Sequence, residues 1–157
     1  MNIGVIGAAS CDKTIDLLAE EVGFLIAKMG HVLITGGLGG VMEASSRGAK
    51  KGGGITVGIL PGFSADEANP FIDIPVVTGM SHGRNVIVAR SSEALIAVAG
   101  GYGTLSEIAL ALKMGKPVVG LESWQGIEGM HRAQSASEAV DMALDLVKDN
   151  HIANRGK

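Results

Sequence analysis

The chain has 157 residues, of which 46% are hydrophobic and 18% charged, so it can fold around one apolar core and is too apolar to be disordered. Its formal net charge of −3 provides no basic field for nucleic acid or an anionic membrane, and its single cysteine excludes an internal disulfide. No apolar run is long enough to span a bilayer and no signal peptide precedes the first run, so we expect a cytoplasmic protein.

Short apolar segments bounded by glycine or proline alternate along the chain with segments of helical periodicity. The predicted strands are residues 3–6, 32–34, 55–60, 74–77, 95–98 and 118–121. The predicted helices are residues 15–29, 41–49, 82–91 and 105–114, followed by a last helix capped by Ser137. Pro75 cannot donate a ladder hydrogen bond, so its strand is predicted at a sheet edge or at a strand start. Residues 122–136 are predicted to be irregular.

Short, wholly apolar strands that alternate with helices are typical of a parallel sheet covered on both faces. We therefore predict an α/β fold, in which residues 1–157 form a single Rossmann-like domain with three layers and a doubly wound, mostly parallel sheet. Ligands of such sheets bind outside the carboxyl ends of the strands. The loops that follow the strands are thus the place to search for function.

Two glycine-rich segments, residues 35–43 and 99–107, repeat one pattern, and each follows an apolar strand and opens a predicted helix. Backbone N–H groups in such loops converge, and the helix dipole adds partial positive charge, so both favour a bound phosphate. The alternative is that the glycines only permit tight turns. The candidate phosphate-binding residues are Gly36, Gly37, Gly39, Gly40, Gly100, Gly101, Gly103 and Thr104, together with Ser10 after the first strand.

Several familiar catalytic and nucleotide motifs are absent from the sequence. There is no G-x-x-x-x-G-K-[ST] motif, and neither glycine loop completes G-x-G-x-x-G because Met42 and Ser106 stand at its last position. No G-x-S-x-G or H-E-x-x-H motif occurs, and the four histidines are scattered. We therefore expect neither a metal site nor a required cofactor.

Arg84 and Glu107 are the charged residues that the sequence singles out as candidates for function. Arg84 lies near the start of a predicted helix, where the macrodipole disfavours a cation by about 0.3–1 kcal/mol, and an anionic ligand or Glu107 would relieve that cost. An exposed arginine that covers apolar surface is the alternative. Glu107 can close a capping box with Thr104, or can place a carboxylate beside the sugar of a phosphorylated ligand.

The segment from Arg84 to Glu107 resembles the LONELY GUY phosphoribohydrolases and their relatives, which include the molybdenum cofactor carrier proteins and small proteins once described as possible lysine decarboxylases. The family motif proline-Gly-Gly-x-Gly-Thr-x-x-Glu is matched by Gly100, Gly101, Gly103, Thr104 and Glu107. The arginine of the upstream Gly-Met-His-x-Arg-Lys motif falls on Arg84. Ala99 stands where the hydrolases have proline and Asn85 where they have lysine, which is closer to the carrier-like branch.

The resemblance implies that the Gly-Thr loop, residues 100–104, holds the phosphate of a nucleoside 5′-monophosphate. It also implies that Glu107 and Arg84 are the catalytic residues, which act at the ribose. Because the loss of the lysine bears on catalysis more than on binding, and because the chain is small, we expect a binding protein for a nucleoside monophosphate or molybdopterin-type ligand. The alternatives are a hydrolase that releases base and ribose 5-phosphate, and a regulatory module related to DNA-processing protein A. The apolar composition and the resemblance also predict a homodimer or a larger homo-oligomer.

Overall fold

In a computed structural model, which describes residues 1–155, one seven-stranded sheet lies between two layers of helices. The strands are β1 (Asn2–Gly7), β2 (Val32–Thr35), β3 (Thr56–Leu60), β4 (Ile74–Val77), β5 (Ala94–Val98), β6 (Val118–Leu121) and β7 (Met130–Arg132). The helices are α1 (Lys13–Lys28), α2 (Val41–Lys51), α3 (Asn85–Ser91), α4 (Tyr102–Lys113) and α5 (Ala136–Arg155). Two short 3₁₀ helices span Ala65–Glu67 and Ser81–Arg84.

The strand order is β4-β3-β2-β1-β5-β6-β7, and every neighbouring pair is parallel. The chain moves outward from β1 to β4 and then returns to place β5 on the other side of β1. This reversal opens a crevice between the loops that follow β1 and β5, which is where open α/β sheets bind their ligands. The predicted α/β, doubly wound fold is confirmed.

Successive strand residues point to opposite faces of the sheet and build two separate cores. In β5, Ile96 packs with α1 and α5 on one face, whereas Leu95 and Ala97 pack with α3 and α4 on the other. All three side chains are fully buried. Such strands have to be apolar at every position, which is why they are read from the sequence as continuous runs.

The edges of the sheet and the last helix show where the sequence analysis succeeded and failed. Pro75 lies in β4 at the sheet edge, as predicted. Strand β7 was missed, because two of its three residues are exposed and polar. Ser137 as the cap of the last helix is wrong: the helix begins at Ala136, and Ser135 Oγ accepts from the Glu138 amide at 3.2 Å.

None of the helices in residues 1–155 combines the length and the apolar composition needed to cross a bilayer. In the same part of the chain, no group of three or more histidine, cysteine, aspartate or glutamate side chains is placed to hold a metal ion.

Candidate functional site

A cleft of about 400 Å³ opens at the carboxyl edge of the sheet, where the strand order reverses. The loops after β1, β2 and β5 form its walls, together with the 3₁₀ helix before α3. The predicted site residues in its lining are Gly36, Arg84, Gly101, Gly103, Thr104 and Glu107. The structure thus brings residues from both glycine loops and from the upstream arginine motif to one place.

The head of α4 faces this cleft with backbone amides that the protein leaves available. The helix begins at Tyr102, and its N-cap is Gly101, which provides no side-chain acceptor. Within residues 1–155, no protein group accepts from the amides of Tyr102, Gly103 or Thr104. The predicted capping box is therefore wrong, because Thr104 lies inside the first turn and the Glu107 side chain contacts Arg84 instead.

Gly101 and Gly103 are not required to be glycine by their protein surroundings. A Cβ atom added at either residue would meet no heavy atom within 4 Å, and neither has a positive φ. Both residues line the cleft. The small size of glycine therefore leaves open space directly in front of the free amides, as a closely approaching ligand would need.

The remaining predicted glycines serve the architecture of the loops and lie outside the cleft lining. Gly37 has a φ of +76° and packs against β3, while Gly40 has a φ of +61° and lies against the Ala8 carbonyl. Gly39 contacts the Ala9 carbonyl. Gly100, with a φ of +110°, packs under Thr104. Ser10 is exposed and lies beside Gly40. From the same loop, Ala8 and Ala9 line the cleft, whereas Ser10 does not.

At the head of α2 the protein engages the first amide, whereas the next two amides, those of Met42 and Glu43, have no acceptor in residues 1–155. The first amide of α2, that of Val41, donates to the Ala8 carbonyl at 3.0 Å, and the Gly37 amide donates to Thr35 Oγ1 at 3.0 Å. Asn69, which is buried, donates from Nδ2 to the carbonyls of Gly37 and Leu38 at 3.2 and 2.9 Å. The two glycine loops therefore differ in which backbone groups the protein uses, although their sequences match.

Arg84 and Glu107 form a buried ion pair in the wall of the cleft. Arg84 Nη1 lies 3.3 Å from Glu107 Oε1, and the two residues are 8% and 5% exposed. The guanidinium rests on the backbone of Gly36, where an added Cβ would come within 2.5 Å of it. Gly36 is thus explained by the close approach of Arg84, and Glu107 is the protein's own partner for the guanidinium.

Burial disfavours the charged forms of both side chains in this pair, because each loses its solvation by water. Burial raises the pKa of Glu107 to about 7, and the positive charge of Arg84 opposes that rise. Burial also lowers the pKa of Arg84, against the stabilising charge of Glu107. Since Arg84 Nε is buried and without a partner in residues 1–155, the guanidinium keeps unused hydrogen-bonding capacity.

The loop after β6 fixes the glycine loop in front of α4. Ser123 Oγ donates to the Ala99 carbonyl at 2.6 Å, and Trp124 Nε1 donates to the Gly101 carbonyl at 3.2 Å. In a trans peptide the C=O and the following N–H point in opposite directions. These bonds therefore turn the amides of Gly100 and Tyr102 away from the β6 loop. Ser123 was not predicted as a site residue, because no recognisable motif surrounds it.

Ala99 adopts a backbone conformation that proline cannot reach. Its φ is +48°, whereas the proline ring holds φ near −65°. The replacement of the motif proline by alanine is therefore accompanied by a different local backbone at the entrance to the glycine loop.

The chain is similar in sequence and in structure to known proteins. The model of the SLOG cluster4 family matches residues 1–152. The solved structure of the molybdenum cofactor binding protein from Rippkaea orientalis superposes with a TM-score of 0.87 at 39% identity, over 93% of this chain and 96% of that one.

Two relatives in sequence complete the comparison. An uncharacterised protein of Archaeoglobus fulgidus is 56% identical over 92% of this chain and 95% of its own length. The cytokinin riboside 5′-monophosphate phosphoribohydrolase of Mycobacterium tuberculosis is 36% identical over 72% of this chain, which spans 65% of that enzyme. The chain belongs to the SLOG cluster4 family, within the superfamily of the LONELY GUY hydrolases and the molybdenum cofactor carriers.

Proposed function

We propose that this protein binds and carries a small ligand with a terminal phosphate and a nucleotide-like ring system, of the molybdenum cofactor type. The observation that carries the proposal is the head of α4, where the amides of Tyr102, Gly103 and Thr104 have no acceptor in residues 1–155. Gly101 and Gly103 leave open space before them. Converging amides at a helix N-terminus favour a phosphate group.

The other walls of the cleft suit the remaining parts of such a ligand. Arg84 lines the cleft, and its guanidinium can donate to a second anionic or polar group there. Ile6, Leu38 and Met42 line the cleft and provide apolar contact for a flat ring. The molybdenum cofactor would be cargo at this site, held by the chain through amides and one guanidinium.

Carriage is favoured over cleavage by the two departures from the hydrolase motif. Asn85 replaces a cationic residue next to Arg84 and leaves Glu107 with one compensating charge. Ala99 gives the glycine loop a conformation that the motif proline cannot adopt. The likeness to the R. orientalis protein over nearly the whole of both chains supports the same choice.

A phosphoribohydrolase is the second candidate, and the presence of both Arg84 and Glu107 in the wall of the cleft favours it. Cleavage of a glycosidic bond develops positive charge on the sugar, and a carboxylate close by stabilises that charge. The products would be a free base and ribose 5-phosphate. The net charge of −3 counts against the third alternative, a regulatory module related to DNA-processing protein A.

Two experiments on the purified protein decide between these functions. Native mass spectrometry should find a co-purified phosphorylated ligand, or binding of added molybdopterin, in the wild type. Incubation with AMP should give binding without release of adenine. Release of adenine that disappears in Glu107→Gln would establish the hydrolase instead. Failure to bind any phosphorylated ligand would reject both functions.

A further inference from the structure

Arg84 is held in a position that leaves one of its own donors without an acceptor. The hydrogen bonds of its guanidinium leave from Nη1, to Asn85 Oδ1 at 3.0 Å and to Glu107 Oε1 at 3.3 Å. Nε is buried and has no partner among the residues that the structure describes. A buried, unpaired donor is unfavourable, so the contacts at Nη1 must hold the side chain against that penalty.

Asn85 connects Arg84 to the helix whose head faces the cleft. It is 8% exposed, and while its Oδ1 accepts from Arg84, its Nδ2 donates to Ser106 Oγ at 3.0 Å. Ser106 Oγ in turn donates to the Gly103 carbonyl at 2.6 Å. Three hydrogen bonds thus run in one direction from the guanidinium to the first turn of α4.

A lysine at position 85, as in the hydrolase motif, could not make this connection. An ammonium group is only a donor and cannot accept from Arg84. It would also place a second positive charge beside the guanidinium and compete with it for Glu107. A residue at position 85 that accepts a hydrogen bond can therefore hold Arg84, whereas lysine cannot.

We propose that Asn85 is a positioning residue that fixes Arg84 against Glu107, and that it thereby makes the cleft retain a phosphorylated ligand instead of cleaving it. The second half rests on the proposed function. In cleavage of a nucleoside monophosphate, the C–N bond breaks with its electron pair leaving on the base, while water gives a hydroxyl to the anomeric carbon and a proton to the base. A free carboxylate must face the positively charged sugar, and Glu107 is instead bonded to Arg84.

The first test follows the protonation of Glu107 in the ligand-free protein, by NMR of the ¹³C-labelled carboxyl group. Asn85→Leu removes both hydrogen bonds at similar volume, so Arg84 should loosen and the midpoint for Glu107 should rise by about half a pH unit or more. Ser106→Ala should move it in the same direction by less. Ser92→Ala, which removes a comparable bond to a helix carbonyl, should leave it unchanged. An unchanged midpoint in a folded Asn85→Leu protein would overturn the positioning role.

The second test asks whether position 85 separates retention from cleavage. Asn85→Lys should release adenine and ribose 5-phosphate from AMP about tenfold or more faster than the wild type, and the Asn85→Lys/Glu107→Gln double variant should not. An Asn85→Lys protein that binds AMP without cleaving it, or a wild type that cleaves equally fast, would overturn the second half. If the wild type binds no phosphorylated ligand, the proposed function fails, while the ligand-free titration still decides the role of Asn85.

Discussion

Arg84 and Glu107 are both buried, and burial disfavours an isolated charge on either side chain. A buried ion pair is weak support for stability, because the desolvation of both groups offsets their attraction. Its presence in the wall of a cleft, with a guanidinium donor left over, is better explained by binding. The free energy of unfolding should therefore carry a measurable penalty from this pair.

The pH dependence of stability tests that penalty. The pKa of Glu107 rises from 4.5 to about 7 on folding, so between these values the folded protein binds more protons than the unfolded chain. The free energy of unfolding then falls as the pH rises, on the order of 2 kcal/mol between about pH 5 and pH 8, relative to Glu107→Gln. Urea unfolding of both proteins over this range measures the difference. Parallel profiles would show that Glu107 is not buried as described.

Gly103 should show opposite effects on stability and binding. It occupies the first turn of α4 with free space around it, so Gly103→Ala should stabilise the protein by up to about 1 kcal/mol through helix propensity. The same methyl group should weaken ligand binding by about tenfold, or 1.4 kcal/mol. Thermal unfolding and calorimetric titration with AMP measure the two effects.

Gly37 provides the matched control for that variant. Its φ of +76° and its contact with β3 make Gly37→Ala destabilising, with no gain in helix propensity. If the Gly103→Ala protein bound AMP as tightly as the wild type, the placement of the ligand at the head of α4 would be contradicted.

The observed cap of helix α5 lies two residues before the predicted one. Ser135 accepts from the Glu138 amide, whereas Ser137 lies in the first turn, where its Oγ contacts Asp141. We expect Ser135→Ala to lower the free energy of unfolding by about 1 kcal/mol and Ser137→Ala to change it by much less. Chemical denaturation of the two variants compares them directly. An equal loss in both would place the helix start elsewhere.

The elements that the sequence predicts well are those whose patterns depend only on local chemistry. The buried strands are continuous apolar runs, and their alternation with helices determines the fold class. The start of α4 was predicted three residues late, because positive φ angles at Ala99 and Gly100 turn the chain into the helix sooner than capping residues indicate. Strand β7 has no apolar pattern, since it pairs with β6 at an edge and exposes two of its side chains.

The candidate site divides in the same way. Arg84, Glu107 and the Gly-Thr loop were identified from motifs that resemble a known family. Asn69 and Ser123 were not, because each acts by a hydrogen bond to a carbonyl at least 24 residues away in sequence. Such a contact depends on how loops meet across the sheet, which no local pattern encodes. The same reason hid the difference between the two glycine loops.

At the scale of the whole molecule, the edge of the sheet at β4 is an exposed apolar surface. All four residues of β4 are exposed, including Ile74 at 49% and Val77 at 44%. An apolar, unpaired strand edge is a template for pairing with another chain. We therefore expect a homodimer in which β4 meets its own copy about a two-fold axis.

Light scattering after size exclusion tests this expectation. Ile74→Asp should convert the dimer to a monomer, since it places a charge on the unpaired edge. Leu17→Asp, at a residue that is 53% exposed on α1, should leave the dimer intact. A monomeric wild type, or equal dissociation in both variants, would contradict an interface at β4.

The central claim is that the head of α4 binds the phosphate of the ligand, and backbone amide NMR tests it most directly. On titration with AMP, the ¹⁵N–¹H signals of Tyr102, Gly103 and Thr104 should shift together along one saturation curve. Adenosine, which lacks the phosphate, should leave these signals nearly unchanged. The claim would be contradicted if AMP saturated the protein while these three amides stayed in place, or if adenosine moved them equally.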